Sequence, residues 1–299
     1  WSIVLRPTTR TTQKIFCSAT ERTAMEPIRE RVLACVDQSR YAQDVTDYAA
    51  WAARRLDAPL ELLHVIDRHL QTATRHDHSG AIGIDAQAHL LDELSTDDEA
   101  KSRAARESGR IFLNGLRARA VEAGVEMPDI RQRYGELKET LIEQQPNVRL
   151  FVLGRRGESA EHTRRDLGRN VEGVVRSLSR PIFTVTERFE PPKRALIAFD
   201  GKAVTRRGVA MVAGSPLFQG IPVHVLMSGR LRSDAAKQLD WATQTLKEAG
   251  LEAHSLAVSG DPERVIAEFV REHDIGLIVM GAYGHSQIRS LLLGSRTSD

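Results

Sequence analysis

The residues with the clearest chemical potential form a glycine turn near the end of the chain. The apolar run Leu277–Met280 is followed by Gly281 and Gly284, and then, after nine intervening residues, by Gly294 and Ser295. The two turn glycines have no Cβ, so the backbone can approach a phosphate closely. Gly294 and Ser295 are expected to open a helix, whose free N–H groups attract anions, and the serine hydroxyl adds a donor. The spacing therefore predicts a phosphate-binding turn, although a Gly-x-x-Gly pair alone usually just reverses the chain.

A second chemical group is an aspartate that ends a short apolar run. Arg194–Asp200 reads RALIAFD, and Arg31–Asp37 reads RVLACVD. An acid at the carboxyl end of a strand can face a ligand. The alternative is that Asp37 and Asp200 are helix N-caps and nothing more.

These groups belong to a pattern that occurs twice in the chain, and such repeats decide the fold. A second apolar run follows each aspartate, at Leu60–Ile66 and Ile221–Met227. Further on, Arg149–Gly157 (RLFVLGRRG) parallels Gly276–Gly284 (GLIVMGAYG). The first copy is longer, mainly through Asp67–Ala100, whose weak periodicity predicts a long surface loop with some helix.

The elements that must position these residues alternate between strand and helix. Apolar runs of strand length are separated by amphipathic stretches such as Glu99–Ala123 and Ala236–Ala249, which is typical of β-α-β units. The strands are continuously apolar, as expected when helices cover both faces of a parallel sheet. We therefore predict an α/β protein with two tandem open parallel-sheet, Rossmann-like domains.

The domain boundaries follow from the same pattern. The first domain is expected over 25–188 and the second over 193–299, with the join near Pro191 and Pro192. Residues 1–24 carry no clear period and precede the first methionine, Met25, so they are expected to be a non-native or disordered leader. The second copy lacks an equivalent of the closing strand Pro181–Val185, which predicts that this domain is incomplete at its C-terminal end.

In an open parallel sheet, ligands bind at the carboxyl ends of the strands. The aspartate and the glycine turn of each copy both lie at such ends. Their coincidence favours a ligand site over two unrelated turns.

The pattern Gly-x2-Gly-x9-Gly-[Ser/Thr] after a strand resembles the ATP-binding signature of the universal stress protein (UspA) family, and Gly281, Gly284, Gly294 and Ser295 match it in full. The resemblance spans both copies and implies an adenine nucleotide alpha hydrolase-like fold with ATP as the ligand. It also implies that Asp200 lies close to the nucleotide. Backbone groups at the end of the second strand, around Leu226, would then hold adenine.

The first copy departs from this signature. Gly154 and Gly157 are present, but ten residues separate Gly157 from Gly168, and Arg169 and Asn170 follow where a small hydroxyl is expected. Either the arginines of this turn supply positive charge to a phosphate, or the site is degenerate. We expect the second copy to be the main site.

Composition excludes several other classes of protein. The formal net charge of the 299 residues is +2 and no basic face stands out, which argues against nucleic-acid binding. Two cysteines are too few for a disulfide framework, Cys35 reads as a core residue, and no stretch is long and apolar enough for a membrane helix. These features predict a cytoplasmic protein.

The histidines of the insertion could suggest a metal, but a solvated loop is favoured: His69, His76 and His78.

The motifs of common enzymes are missing from the sequence. No Walker A motif, Ser-His-Asp arrangement or paired carboxylates stand out. We expect a nucleotide-binding stress-response regulator with slow or no hydrolysis. The alternatives are an interaction scaffold, which pairs its domains within one chain or forms a homodimer, and a weak ATPase. Whether Mg²⁺ accompanies the ATP stays open.

Overall fold

The computed structural model describes residues 2–3, 30–66, 84–154, 173–174, 176–185 and 188–281, with the backbone alone for 2–3 and 84–102. Within these residues, ten strands form one sheet. The strands are β1 (Ser2–Ile3), β2 (Arg31–Cys35), β3 (Leu60–Ile66), β4 (Asp129–Tyr134), β5 (Val148–Gly154), β6 (Ile182–Val185), β7 (Ala195–Ala198), β8 (Val223–Gly229), β9 (Ala253–Ser259) and β10 (Leu277–Val279).

The strand order shows that the sheet has two halves with one topology. The order is β4-β3-β2-β5-β6-β1-β10-β7-β8-β9. Within each half the paired strands are parallel, as the apolar runs predicted. In each half the first strand, β2 or β7, has the next two strands on one side and a returning strand on the other. The predicted tandem α/β fold is therefore confirmed.

The two-residue strand β1 lies between the halves. It pairs parallel with β10 and antiparallel with β6. Beside β10 it occupies the position that β6 occupies beside β5. Residues that the sequence analysis placed outside the fold thus join the two halves into one sheet, while the predicted domain boundaries stay predictions.

Six helices are described. They are α1 (Ala42–Leu56), α2 (Ile84–Glu122), α3 (Leu137–Gln144), α4 (Ala203–Ala213), α5 (Ala235–Glu248) and α6 (Pro262–Glu272). Helix α2 includes residues 84–100 of the stretch predicted to be a surface loop with some helix, while 67–83 lie outside the described residues. Residues 84–100 are rich in Ala, Leu, Glu and Asp with no Gly or Pro, so nothing in them breaks the helix. The histidines at 69, 76 and 78 lie outside the described residues.

The core lies on both faces of the sheet because neighbouring strand residues point to opposite sides. Val32 and Ala34 pack in the largest cluster, which includes residues of both halves, whereas Leu33 packs in a second cluster on the other face. Trp51 and Trp241 pack against the largest cluster. Among the described residues, no helix is long and apolar enough to cross a bilayer.

The halves also meet through α1. The guanidinium of Arg55 donates to the carbonyl of Leu217 at 2.8 Å and to that of Gln219. The hydroxyl of Tyr48 donates to the carbonyl of Arg188 at 3.0 Å, in the segment that connects β6 to β7. One helix of the first half therefore contacts both the connection and the second half.

Candidate functional site

The candidate residues lie where the strand order reverses. In the second half the chain proceeds from β7 to β8 and β9 on one side and returns as β10 on the other. Asp200 follows β7 and Gly281 follows β10, and these two strands are neighbours with Ile197 opposite Val279. In the first half, Asp37 follows β2 and Gly154 ends β5 in the same arrangement. Ligands of open α/β sheets bind at such switch points.

Asp200 is held by residues at the start of α4, namely Lys202 at its N-cap position and Thr205 in its first turn. Its Oδ1 accepts hydrogen bonds from the Thr205 hydroxyl at 2.7 Å and from the Lys202 amide at 3.0 Å, and Lys202 Nζ lies 3.3 Å from Oδ2. Partial burial favours a higher pKa for this carboxyl, but the bonds from Thr205 and Lys202 outweigh burial and hold the pKa below its usual value. Asp200 is therefore a carboxylate at neutral pH.

The contacts of Asp200 fit both roles considered for this residue, a helix cap and a group that faces a ligand. The side chain stabilises the turn before α4, as a cap-like residue would, although the residue at the N-cap position is Lys202. At the same time its side chain is 43% exposed. A carboxylate that is partly accessible and already oriented can still accept a hydrogen bond from a ligand.

Gly281 lies against the first turn of α4. An ideal Cβ at this position would be 2.7 Å from Cγ1 of Val204. The close approach requires glycine for packing, in addition to any role at a phosphate. The start of the glycine turn and the start of α4 thus lie side by side next to Asp200.

Leu226 does not lie at the end of its strand, which is a correction to the prediction. Strand β8 continues to Gly229, and the Leu226 carbonyl accepts a hydrogen bond from the Phe199 amide at 2.9 Å. The Leu226 side chain is 1% exposed in a hydrophobic cluster. The strand end that borders the switch point is Met227–Gly229, because the apolar run from which the end was inferred stops before the strand does.

Residues of α5 form a wall beside Asp200 that the sequence analysis did not find. The Gln238 Oε1 accepts from both the Nη2 of Arg206, at 2.7 Å, and its Nε, at 3.2 Å. The guanidinium carbon of Arg206 lies 4.1 Å from the Trp241 ring centroid. Gly201, which has φ +75, approaches Gln238 closely. In the sequence, the local sign of this contact is Gly201, the glycine that directly follows Asp200.

The first half builds a similar turn with different residues. Asp37 accepts from both the hydroxyl and the amide of Ser39, and Gln38 donates to Ser108 of α2 at 3.5 Å. The buried His64 ring contacts the Val36 carbonyl through Nδ1 at 2.9 Å. Helix α2 therefore lies beside this switch point, as α5 does in the other half.

Half of the predicted site residues lie outside the described residues. These are Gly157, Gly168, Gly284, Gly294 and Ser295. The described portion thus brings together Asp200 with Gly281 and Asp37 with Gly154. The phosphate-binding parts of both turns stay predictions.

The structure also bears on two other kinds of site, a reactive cysteine and a metal centre. Desolvation, reinforced by Glu61 and Asp37, raises the pKa of the Cys35 thiol, so this cysteine is a poor nucleophile at neutral pH. Among the described residues, no group of three or more His, Cys, Asp or Glu side chains is arranged to hold a metal ion.

Comparison with known proteins decides the family. The model of the universal stress protein family matches two segments, residues 29–186 and 192–299. The chain belongs to the universal stress protein family. The segments coincide with the two halves of the sheet, so the family's domain occurs here in tandem.

A similar relative has the same tandem organisation along its length. The chain is 30% identical over 272 residues to the universal stress protein Slr1230 of Synechocystis, an alignment that covers 90% of this chain and 95% of the relative. A shorter match, 27% identical over 77 residues, relates it to the universal stress protein YxiE of Bacillus subtilis.

Solved structures show the same fold at lower identity. A universal stress protein from Archaeoglobus fulgidus superposes with a TM-score of 0.60 at 19% identity, covering 90% of this chain and 91% of that protein. A putative universal stress protein from Pseudomonas aeruginosa gives a TM-score of 0.52 at 16% identity, covering 87% and 85%. At these identities the likeness concerns the fold.

Proposed function

We propose that this universal stress protein binds ATP, or a related adenine nucleotide, mainly through its second half, and acts as a stress-response regulator of the cytoplasm. The observation that carries the proposal is the position of Asp200 and Gly281 after the ends of the two neighbouring strands β7 and β10, which flank the switch point. The sequence Gly281-x2-Gly284-x9-Gly294-Ser295 continues from this position. A glycine turn at a switch point suits a nucleotide phosphate.

The chemistry of the described groups is compatible with a nucleotide. The Asp200 carboxylate can accept hydrogen bonds from sugar hydroxyls or an exocyclic amine. The exposed ammonium of Lys202, on the same turn, supplies positive charge at the mouth of the site. Backbone groups of Met227–Gly229 replace Leu226 as the candidates that contact adenine, because they lie at the strand end.

The first half is the weaker candidate for binding. Asp37 and Gly154 flank its switch point, but ten residues rather than nine separate Gly157 from Gly168. We expect this half to bind nucleotide more weakly than the second, or not at all. Because Asp37 and Gly154 are placed as Asp200 and Gly281 are, the first half serves as an internal control for binding by the second.

The test is to denature the purified full chain and identify released small molecules by mass spectrometry, then to titrate the nucleotide-free protein with ATP by calorimetry. Asp200→Asn and Asp37→Asn form a matched pair at equivalent turns. We expect about one equivalent of adenine nucleotide, weakened binding in the Asp200 variant and unchanged binding in the Asp37 variant. No released nucleotide together with no binding of added ATP, with or without Mg²⁺, would refute the proposal.

Hydrolysis is measured in the same preparations. We expect little phosphate release from bound ATP over hours, because no Walker A motif, Ser-His-Asp arrangement or paired carboxylates stand out in the sequence. Rapid release that depends on Asp200 would instead identify an ATPase. A protein that never binds nucleotide would favour the scaffold function, for which the contacts of Tyr48 and Arg55 between the halves are the supporting observation.

A further inference from the structure

Three histidines of the second half lie together at the amino ends of the strands, far from Asp200. His224 of β8 is directly opposite His254 of β9, and their rings stack with centroids 5.4 Å apart. The ring of His273, which follows α6, lies 5.8 Å from that of His224. We call these three residues the histidine cluster.

The surroundings of the cluster hold the rings in place. The Phe269 ring stacks on His273 at 3.9 Å and contacts His224 edge-on at 5.5 Å. The Nδ1 of His273 lies 3.1 Å from the Phe269 carbonyl, so this nitrogen carries the donated hydrogen. Arg194 donates to the His273 carbonyl at 2.9 Å, which brings a permanent positive charge to the same corner.

A carboxylate offsets part of this positive charge. Oε1 of Glu252 lies 3.1 Å from Nε2 of His254. The charged and titratable groups that act on His224 are thus His254, His273 and Arg194, all of one sign when protonated, and Glu252 of the opposite sign. Three cationic groups face one anionic group.

The arrangement does not suit a metal ion. Stacked rings present their faces to each other, whereas metal binding requires ring nitrogens that converge on one point. The absence of a metal-binding group within the described residues agrees with this geometry.

We infer that the histidine cluster is a proton-sensitive element that holds β9 and α6 on β8 at neutral pH and releases them on acidification. Strand β9 is an edge of the described sheet and has β8 as its strand neighbour there. Protonation of His224 and His254 places like charges on neighbouring rings whose centroids are 5.4 Å apart, and these charges repel each other. A further charge on His273 repels both from the end of α6.

The direction of the pH effect follows from the environment of His224. Burial lowers the pKa of this side chain, the positive charges of His254, His273 and Arg194 lower it further, and Glu252 opposes them. The folded pKa is then below the unfolded value of about 6.5. The unfolded chain therefore takes up protons first, so stability is highest above that value and decreases as the pH falls through the folded pKa.

Hydrogen exchange on the full chain at pH 7.5 and 5.5, corrected for intrinsic exchange, tests the inference. We expect protection of β9 and α6 to fall several-fold more than that of β2 and β3, which do not carry the histidine cluster. His224→Gln should reduce this difference. Glu252→Gln should enlarge it, and Glu248→Gln, a carboxylate of α5 outside the cluster, should leave it unchanged.

NMR titration of the wild-type His224 ring keeps the test valid if a variant fails to fold. We expect a midpoint below about 6.5, and a midpoint at or above it would overturn the inference. Equal acid-induced loss of protection in the wild type and His224→Gln would also overturn it. So would stabilisation of the wild type by Zn²⁺ at pH 7.5 that EDTA reverses and His224→Gln abolishes, because the cluster would then be a metal site.

Discussion

Gly281 lies so close to Val204 that a Cβ at position 281 would be 2.7 Å from Cγ1 of the valine. The valine is in the first turn of α4, and the glycine follows β10. A glycine expected from its spacing to serve a phosphate therefore also serves the packing of helix on strand. Substitutions at Gly281 combine the two effects unless the steric part is removed.

Gly281→Ala is expected to destabilise the chain by about 1–3 kcal/mol, because a branched side chain has no freedom to move away from the added methyl. In the double variant Val204→Ala, Gly281→Ala, Cγ1 is absent and the nearest valine atom, Cβ, would be 3.7 Å away. We expect the double variant to recover most of the stability in urea denaturation.

ATP titration of the same double variant then isolates the ligand effect. Weak ATP binding in a protein of restored stability would assign Gly281 to the nucleotide site. Full ATP binding there would assign the glycine to packing alone. Val204→Ala by itself is the control for the lost methyl groups.

Thr205 is expected to set the acid sensitivity of Asp200. Thr205→Val removes a 2.7 Å hydrogen bond to the carboxylate, whereas Thr205→Ser retains it. The lowered pKa of Asp200 contributes stability above the unfolded value of about 3.9 that is lost as the pH falls through the folded pKa. Because the side chain is half exposed, the difference between the Val and Ser variants at pH 7 should be under about 1 kcal/mol.

The gap in the free energy of unfolding between Thr205→Val and Thr205→Ser should become smaller towards pH 3. Denaturant midpoints at pH 7, 5 and 3.5 for both variants check it. A gap that stays constant over this range would mean that the threonine stabilises the turn without any link to the charge of Asp200.

We expect the negative charge of Glu61 to be essential for stability, because this side chain is buried between two arginines. The side chain is 2% exposed, with Oε2 2.7 Å from Arg31 Nε and Oε1 3.1 Å from Arg131 Nε. Glu61→Gln leaves the arginines without a counter-charge and should cost about 3 kcal/mol. The double variant Glu61→Leu, Arg31→Met should be closer to the wild type. Breaking a buried ion pair usually costs about 3 kcal/mol or more. A loss of less than about 0.5 kcal/mol in Glu61→Gln would therefore contradict this account.

Tyr48 is expected to anchor the connection between the halves. Its hydroxyl donates to the Arg188 carbonyl and accepts from the Glu190 amide at 2.9 Å, and its ring contacts Phe183 and Phe189 edge-on. Tyr48→Phe keeps the ring contacts but leaves two backbone groups without this partner, at a cost of about 1–2 kcal/mol. Urea denaturation measures the loss, and limited proteolysis should show faster cleavage in the segment 186–194. Unchanged cleavage would show that the ring, rather than the hydroxyl, holds this segment.

The sequence was a good guide wherever neighbouring residues carry the information. The continuous apolar runs predicted the central strands, since residues buried on both faces must all be apolar. The repeat of these runs predicted two halves with one topology, and the residue that ends each run placed Asp37 and Asp200 at strand ends. It misjudged the end of β8, because an apolar run stops where burial stops rather than where hydrogen bonding stops.

The tertiary structure decided every relationship between residues that are distant in the chain. The distance from Gly281 to Val204, the wall formed by Gln238 and the grouping of His224, His254 and His273 depend on which strands and helices are neighbours. No pattern in contiguous residues encodes these contacts, because each partner lies on a separate element. The sequence by itself thus determined the family, the tandem fold and the placement of Asp37 and Asp200 at strand ends. Only the packing of the elements determined which side chains meet there, since that packing alone sets the distances between them.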